Sequence, residues 1–181
     1  ADYLPPPGVN PAYPIRELAA SATGIGHLNA QQDVDAATRT EPLIVRYYDK
    51  FFPSLSLMLV AKTLNLHVAE ILAKPGEEVR VGKLRVRTDP ELRMYTFFYS
   101  DRDEKRAFPI DSFFDVYTGK IPAAKYQDKI VLIGATATGL GISQVTPISP
   151  RMAPVETLAH SVSSILKEDF FVAPTWGVWV E

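Results

Sequence analysis

Cysteine is absent from the 181-residue chain, and this absence excludes several kinds of site at once. Without thiols the protein has no disulfide framework, no thiolate-bound zinc and no cysteine nucleophile. Long hydrophobic runs are also missing, because no stretch reaches the roughly 18 consecutive apolar residues that a membrane-spanning helix requires. The first 14 residues have neither the basic start nor the apolar run of a signal peptide.

An excess of charge of either sign is lacking too. The 19 Lys and Arg residues against 21 Asp and Glu give a formal net charge of −2, which argues against a nucleic-acid-binding protein and its basic surface. The hydrophobic fraction of 46% and the charged fraction of 22% are globular values, so wholesale disorder is excluded. This length suits a single domain that buries roughly 70% of the surface it would expose when unfolded.

The two ends of the chain differ from its middle. Five prolines lie within the first 14 residues, which predicts an extended arm and a short helix over residues 1–23. Residues 24–169 have the alternating character of a folded domain. Residues 170–181 are apolar and hold both tryptophans, so they are expected to lie close to a membrane or to pack on the core. We interpret the chain as part of a longer protein.

Strand and helix patterns interleave in the domain and predict its fold class. A continuous apolar run at 129–135 predicts an interior strand covered on both faces. Alternation around Gly82-Lys83 predicts a β-hairpin with outward-facing arginines. We therefore expect an α/β fold, a single layered domain with a mixed β-sheet covered by helices. The other predicted elements are a hairpin of 24–29 with 39–48, a strand over 94–99, and helices over 15–22, 53–64, 109–118 and 155–168.

Motifs of catalysis and cofactor binding are incomplete. The glycine-rich stretch 134–141 lacks the Lys-Ser/Thr of a phosphate-binding P-loop and the spacing of a dinucleotide fingerprint, which favours a turn. Asp33 and Asp35 begin like a calcium loop but lack its glycine and closing glutamate, so a turn with Arg39 as charge partner is expected. Glu156 and His160 share one face of the last helix, a spacing usual for structural contacts. No catalytic residue, metal or cofactor is predicted.

A series of short blocks, in matching order and spacing over residues 24–168, resembles the second class of CHASE domains (cyclase/histidine-kinase-associated sensory extracellular domains). The blocks are Gly26-His27-Leu28-Asn29, Asp33-x-Asp35, Arg39 with Pro42-Leu43, Phe52-Pro53-Ser54-Leu55, the stretch 115–122, the stretch 129–136, Gly139-Leu140-Gly141, Thr146-Pro147 and Val155-Glu156. The resemblance corresponds to the C-terminal two-thirds of such a domain. One difference is Ala36, where the family often has glycine after the second turn aspartate.

The resemblance implies a function as an extracytoplasmic signal-sensing input domain. The parent protein would be a bacterial membrane-anchored kinase or nucleotide cyclase, with this domain on the periplasmic or extracellular side and without catalysis of its own. The implied partners are a small-molecule or protein signal and a second copy of the chain in a homodimer, with no nucleic acid.

A ligand pocket, if present, is predicted near Asn29, Asp33, Arg39, Thr136 and Thr138. Two other interpretations stay open at this point. One is an extracytoplasmic small-molecule-binding or structural interaction domain without signalling, and the other is a hydrolase that uses His160.

Overall fold

The computed structural model describes residues 4–101, 105–137 and 143–172. The helices are α1 (Arg16–Ser21), α2 (Leu55–Thr63), α3 (Phe113–Tyr117) and α4 (Pro154–Lys167), with 3₁₀ turns at Val68–Glu70 and Ala123–Tyr126. The strands are β1 (Thr40–Pro42), β2 (Ile44–Tyr47), β3 (Lys50–Pro53), β4 (Ile71–Lys74), β5 (Glu78–Val81), β6 (Leu84–Arg87), β7 (Arg93–Thr96), β8 (Gln144–Thr146), β9 (Ser149–Met152) and β10 (Phe170–Phe171). In these residues no helix is both long enough and apolar enough to cross a membrane.

The predicted fold class of a single α/β domain is confirmed. Its described strands form small antiparallel sheets, in the orders β1-β7-β10, β2-β3, β4-β5-β6 and β8-β9, instead of one mixed sheet. Among the described residues, parallel pairing is limited to isolated bridges such as those of Pro7 with Arg46 and His27 with Ser54. The bridge at Pro7 places the proline-rich arm alongside β2.

The core lies where α2 and α4 pack on each other and on the hairpin of β5 and β6. Helix α2 begins at Ser54, whose hydroxyl accepts a hydrogen bond of 3.2 Å from the Leu57 amide. Leu57 and Val60 on α2 and Ile165 on α4 are completely buried. Burial of such apolar side chains is the main stabilising contribution to the fold.

The β5–β6 hairpin confirms its sequence prediction residue by residue. Val79 is paired with Val86 on the inner face, and both are completely buried. Arg80 is paired with Arg85 on the outer face. Gly82 has a φ of +60°, a conformation that glycine adopts without the strain imposed by a Cβ atom.

The predicted interior strand at 129–135 is wrong, because these residues form no strand in the structure. Val131 and Ile133 are 49% and 78% exposed. The predicted hairpin of 24–29 with 39–48 is reduced to one antiparallel bridge between Gln31 and Thr40. A strand requires a backbone partner along its length, and an apolar run by itself specifies no partner.

Candidate ligand-binding site

Two cavities flank the N-terminal half of α4. The smaller, of about 350 Å³, lies between residues 27–30, β1, residues 133–135 and α4. Its polar lining residues are His27, Asn29, Thr38, Thr40, Glu41, Thr96, Gln144, Thr157 and Ser161. The larger, of about 620 Å³, lies between residues 99–101, residues 106–110, β9 and the other side of α4. Both are of the size that small-molecule sites commonly have.

One wall of the smaller cavity is the segment around Gly26, which lies directly on the start of α2. The His27 amide donates to the Pro53 carbonyl at 3.0 Å, and the Leu55 amide donates to the His27 carbonyl at 2.8 Å. A Cβ atom on Gly26 would lie 2.5 Å from the Cα of Leu55, closer than real atoms approach. The absence of a side chain at this position therefore permits the close contact that holds the wall in place.

A carboxyl group lines this cavity from β1. The hydroxyl of Ser56 donates to Oε1 of Glu41, and the hydroxyls of Ser54 and Ser56 are 2.8 Å apart. Burial raises the pKa of the Glu41 carboxyl, and hydrogen bonds from Ser161, Ser56 and Ser54 oppose that rise. The net effect favours the neutral carboxyl group, and among the described residues only hydroxyl groups, and no basic side chain, oppose it.

The imidazole of His27 presents a hydrogen-bond donor without a partner. Its Nδ1 atom accepts a hydrogen bond of 3.2 Å from the Asn29 amide. Burial lowers the pKa of His27 to about 4, so the ring is neutral at pH 7. With Nδ1 acting as acceptor, the hydrogen bonds assign the proton to Nε2. Nε2 is buried and has no hydrogen-bond partner among the described residues.

Four further side chains in the lining carry buried oxygen atoms that lack a hydrogen-bond partner in the described part of the chain, namely Thr38, Thr40, Gln144 and Thr157. A buried polar atom left unpaired costs roughly 1–3 kcal/mol. Such atoms in native proteins are generally satisfied by ordered water or by a ligand. Their concentration around one cavity indicates a site built for a polar occupant.

The larger cavity contains His160, which is only 3% exposed. Nδ1 of His160 accepts a hydrogen bond of 3.1 Å from the Tyr99 amide. The ring stacks on Tyr99 at 5.9 Å between centroids and meets Phe108 edge-on at 4.8 Å. Burial lowers the pKa of His160 to about 4, against an opposing effect of Asp101. The imidazole is therefore a neutral member of an aromatic cluster.

The contacts around His160 do not assemble a catalytic triad in the described residues. No serine or threonine hydroxyl there hydrogen-bonds to the imidazole. Glu156 does not bind His160 but accepts a hydrogen bond of 3.1 Å from the Ala153 amide at the start of α4. No group of three or more His, Asp or Glu side chains in this part of the chain is placed to hold a metal ion.

The structure separates the residues predicted for a pocket. Asn29 lines the smaller cavity and Thr136 lines the larger one. Asp33 and Arg39 pair with each other at 2.7 Å and line neither cavity. Thr138 lies outside the described residues. Ligand binding at these positions stays a prediction.

The Asp33-x-Asp35 turn is closed by Arg39, as its sequence predicts. One guanidinium nitrogen of Arg39 is 2.7 Å from Asp33, and the other is 2.6 Å from Asp35. The hydrogen bond from Arg39 holds the pKa of Asp35 below its usual range. The Ala37 amide also donates to the Asp35 carboxylate, at 3.1 Å. These contacts explain the two aspartates as elements of a turn.

Replacement of Ala36 by glycine is expected to stabilise the protein. Ala36 has a φ of +62°, in the left-handed region where a Cβ atom is strained. Relief of that strain exceeds the entropy that glycine adds to the unfolded chain, so we expect a gain of about 0.5–1 kcal/mol in Ala36→Gly. Urea unfolding measures it, with Ala37→Gly as the destabilising control. A lower midpoint for Ala36→Gly would contradict the strain at this position.

The principal side chains of the smaller cavity are not those that the sequence indicated. Glu41 and His27 become neighbours of the cavity through contacts between distant segments. The available signal was a glutamate inside an otherwise apolar and β-branched stretch of sequence, Thr40-Glu41-Pro42-Leu43-Ile44-Val45, followed later by the two serines at the start of α2. A charged residue at such a position is rarely buried unless it is hydrogen-bonded.

Comparison with protein families identifies a match to the CHASE2 domain over residues 6–181. The domains of this family are extracellular sensory domains of signalling proteins. Searches of curated proteins and of solved structures return no match.

Proposed function

The chain belongs to the CHASE2 family, and on this basis we propose that it is the signal-sensing input domain of a membrane-anchored bacterial kinase or nucleotide cyclase. The domain receives the signal outside the cytoplasm and performs no catalysis itself. The observation that supports this proposal is the smaller cavity, whose buried, unpartnered polar atoms suit the binding of a small molecule.

Helix α4 connects the cavity to the chain that follows it. Residues Thr157, Leu158 and Ser161 of α4 line the smaller cavity. Immediately after α4, Glu168 accepts a hydrogen bond of 2.8 Å from the Arg85 amide, and β10 pairs with β7. A ligand that binds more tightly to one position of α4 would shift the population towards that position. This differential affinity is the thermodynamic requirement for signal transmission.

The contact between α4 and the end of β7 is made by polar groups, which is compatible with a movement of α4 relative to β7. The Phe97 amide donates a hydrogen bond of 3.0 Å to the Ser164 hydroxyl, and the same hydroxyl oxygen is 3.2 Å from the Phe97 carbonyl oxygen. The hydroxyls of Thr96 and Ser161 are 3.3 Å apart. Hydrogen bonds between a helix and a strand define discrete registers, so two arrangements of α4 would be distinguishable states.

A homodimer is part of the proposal, since kinase and cyclase outputs commonly act in pairs. Sedimentation velocity of the full-length protein in detergent measures its mass directly. A mass of two chains supports the pairing, and a monomer at micromolar concentration would contradict it.

The extracytoplasmic location is testable because the domain has no cysteine. Val34 is fully exposed, so Val34→Cys in the parent protein offers one defined thiol in this domain. We expect intact cells to react with a membrane-impermeant maleimide at this position. A cysteine placed in the output module is the control and should react only after lysis. Reaction of Val34→Cys solely after lysis would contradict the proposed location.

The absence of catalysis has its own test. Purified protein is expected to show no steady hydrolysis of ester or phosphate-ester substrates. Turnover that His160→Ala abolishes, while His67→Ala retains it, would establish the hydrolase alternative instead.

A further inference from the structure

We infer that the smaller cavity binds a small organic amine that also carries a neutral oxygen acceptor, such as an amino alcohol, with Glu41 as the counter-charge of the ammonium group. This inference rests on the proposed function and specifies the chemical class of its signal.

The ionisable side chains of the lining disfavour an acidic ligand. Glu41 and His27 are the only ionisable side chains among the described residues that line the cavity, and no lysine or arginine is present there. An anion would therefore face a buried carboxyl group with no basic partner, which is unfavourable. A cation would instead stabilise the ionised form of Glu41, which burial otherwise disfavours, because buried charges in proteins are generally paired.

The unpartnered polar atoms match the hydrogen bonds of an ammonium group. Such a group donates three hydrogen bonds and accepts none. Gln144 offers a carbonyl oxygen, and Thr38, Thr40 and Thr157 offer hydroxyl oxygens without partners in the described chain. Together with the carboxylate of Glu41, these acceptors exceed the three that the ammonium group needs. The excess accommodates a second polar group on the same ligand.

His27 specifies what that second group is. Its Nε2–H is the unpartnered donor, because Nδ1 already accepts from the Asn29 amide. The ligand must therefore offer an acceptor to His27, and a hydroxyl or carbonyl oxygen serves without adding negative charge. Leu55, Ile133 and Leu158 provide an apolar surface for the carbon skeleton that joins the two groups.

Isothermal titration and thermal unfolding of the purified protein test the inference with matched probes. The amines are ethanolamine, 4-amino-1-butanol and 6-amino-1-hexanol. For each, the diol of the same length is the neutral probe and the hydroxycarboxylate is the anionic one. Potassium chloride at equal ionic strength tests for a simple ion. We expect at least one amino alcohol to raise the unfolding temperature and bind saturably, while its diol, its hydroxycarboxylate and potassium do not.

Variants then assign the binding to Glu41. Glu41→Gln keeps the size of the side chain and removes its charge, so we expect at least a tenfold loss of amine affinity. Glu156→Gln changes the corresponding carboxylate of the larger cavity and should leave the affinity unchanged. Gln144→Met removes one acceptor with little change of volume and should weaken binding severalfold even if Glu41→Gln does not fold.

Three results would overturn the inference: no binding of any amine, equal binding of the matched diol, or full affinity in both Glu41→Gln and Gln144→Met. These results concern the class of ligand alone. The extracytoplasmic location that the proposed function requires is tested separately, by the labelling of Val34→Cys in cells.

Discussion

Acidification from pH 7 to pH 5 is expected to lower the free energy of unfolding by roughly 2–4 kcal/mol, because two buried histidines must remain neutral in the folded protein. His27 lies against α2 and lines the smaller cavity, and His160 lies in the aromatic cluster of the larger one. In each ring, Nδ1 accepts a hydrogen bond from a backbone amide, of Asn29 or of Tyr99. Protonation would convert that acceptor into a donor that faces another donor.

The direction and the pH range of the effect follow from the pKa values. Burial lowers the pKa of both imidazoles from 6.5 to about 4. Between those values the unfolded chain binds protons that the folded protein does not, so protons favour unfolding. The contribution of the two neutral histidines to the free energy of unfolding is therefore complete above pH 6.5. It decreases as the pH falls from 6.5 to 4, and below pH 4 it decreases no further.

Three carboxyl groups also contribute to the pH dependence, but they do not cancel the histidine effect. The raised pKa of Glu41 acts in the opposite direction, because the folded state of that acid holds its proton more tightly than the unfolded state. The pKa values of Asp35 and Asp111 are lowered by hydrogen bonds from Arg39 and Lys125, so their contributions are lost only below the usual pKa of an aspartate, outside the histidine range. The net loss between pH 6.5 and 4 therefore belongs to the histidines, reduced by Glu41.

Urea unfolding at pH 7, 6 and 5 measures the effect. The double variant His27→Asn/His160→Asn keeps an acceptor oxygen near the position of each Nδ1 and removes the titration. It should no longer lose stability towards pH 5, so that only the opposing effect of Glu41 remains in this range. His67→Asn changes an exposed histidine and is the control, expected to follow the wild type. An unchanged acid profile in the double variant would show that the two rings are not kept neutral by burial.

Short-range signals in the sequence predicted the local structure well. Proline and serine at the start of α2, and the helical spacing of its apolar residues, located that helix within two residues of its bounds. Gly82-Lys83 located the β5–β6 turn and the outward arginines. These features depend on residues a few positions apart, and the sequence records such relations directly.

These short-range signals could not predict which distant segments pair with each other. The apolar run at 129–135 has the composition of an interior strand, yet it has no strand partner in the structure and leaves Ile133 exposed. The same limit applies to the candidate site. Asn29 was named from the sequence and lines the smaller cavity, although its binding of a ligand stays a prediction. Glu41 was not named, because its environment depends on serines at the start of α2 and on α4.

The turn at Asp33 shows a feature of the sequence whose structural meaning became clear only from the backbone conformation. The family resemblance implies glycine at the position of Ala36, and the φ of +62° there accounts for such a preference. A glycine preference at one position of a turn indicates a left-handed backbone and not a ligand. The Arg39 contacts with both aspartates reinforce this interpretation.

The substitution Gly26→Ala is expected to lower the free energy of unfolding by about 2–3 kcal/mol, because the added methyl group meets backbone atoms that cannot move aside. A Cβ atom at this position would lie 2.5 Å from both the Cα and the amide nitrogen of Leu55, and 2.7 Å from the carbonyl carbon of Ser54. The segment must therefore separate from the start of α2, with loss of the hydrogen bonds that join His27 to Pro53 and to Leu55.

Gly24→Ala is the matched control, two residues away in the same segment. Its Cβ atom would approach Met58 Cε at 2.6 Å and Lys62 Cε at 3.3 Å, and both are the far ends of flexible side chains. Those side chains can rotate away, so we expect a cost below about 1 kcal/mol. The intrinsic change from glycine to alanine is the same in both variants. The difference between them therefore reports the backbone contact alone.

Hydrogen exchange shows whether the loss is local to the cavity wall. In Gly26→Ala the amides of His27 and Leu55 should exchange faster, while the Val60 amide inside α2 keeps its protection. The same variant should bind the amino alcohol less tightly, since His27 and Asn29 leave the cavity with the segment. Equal stability of the two glycine variants, or unchanged exchange at Leu55, would mean that the segment does not rest on α2 as closely as the structure shows. The wall of the candidate site would then be defined by other contacts.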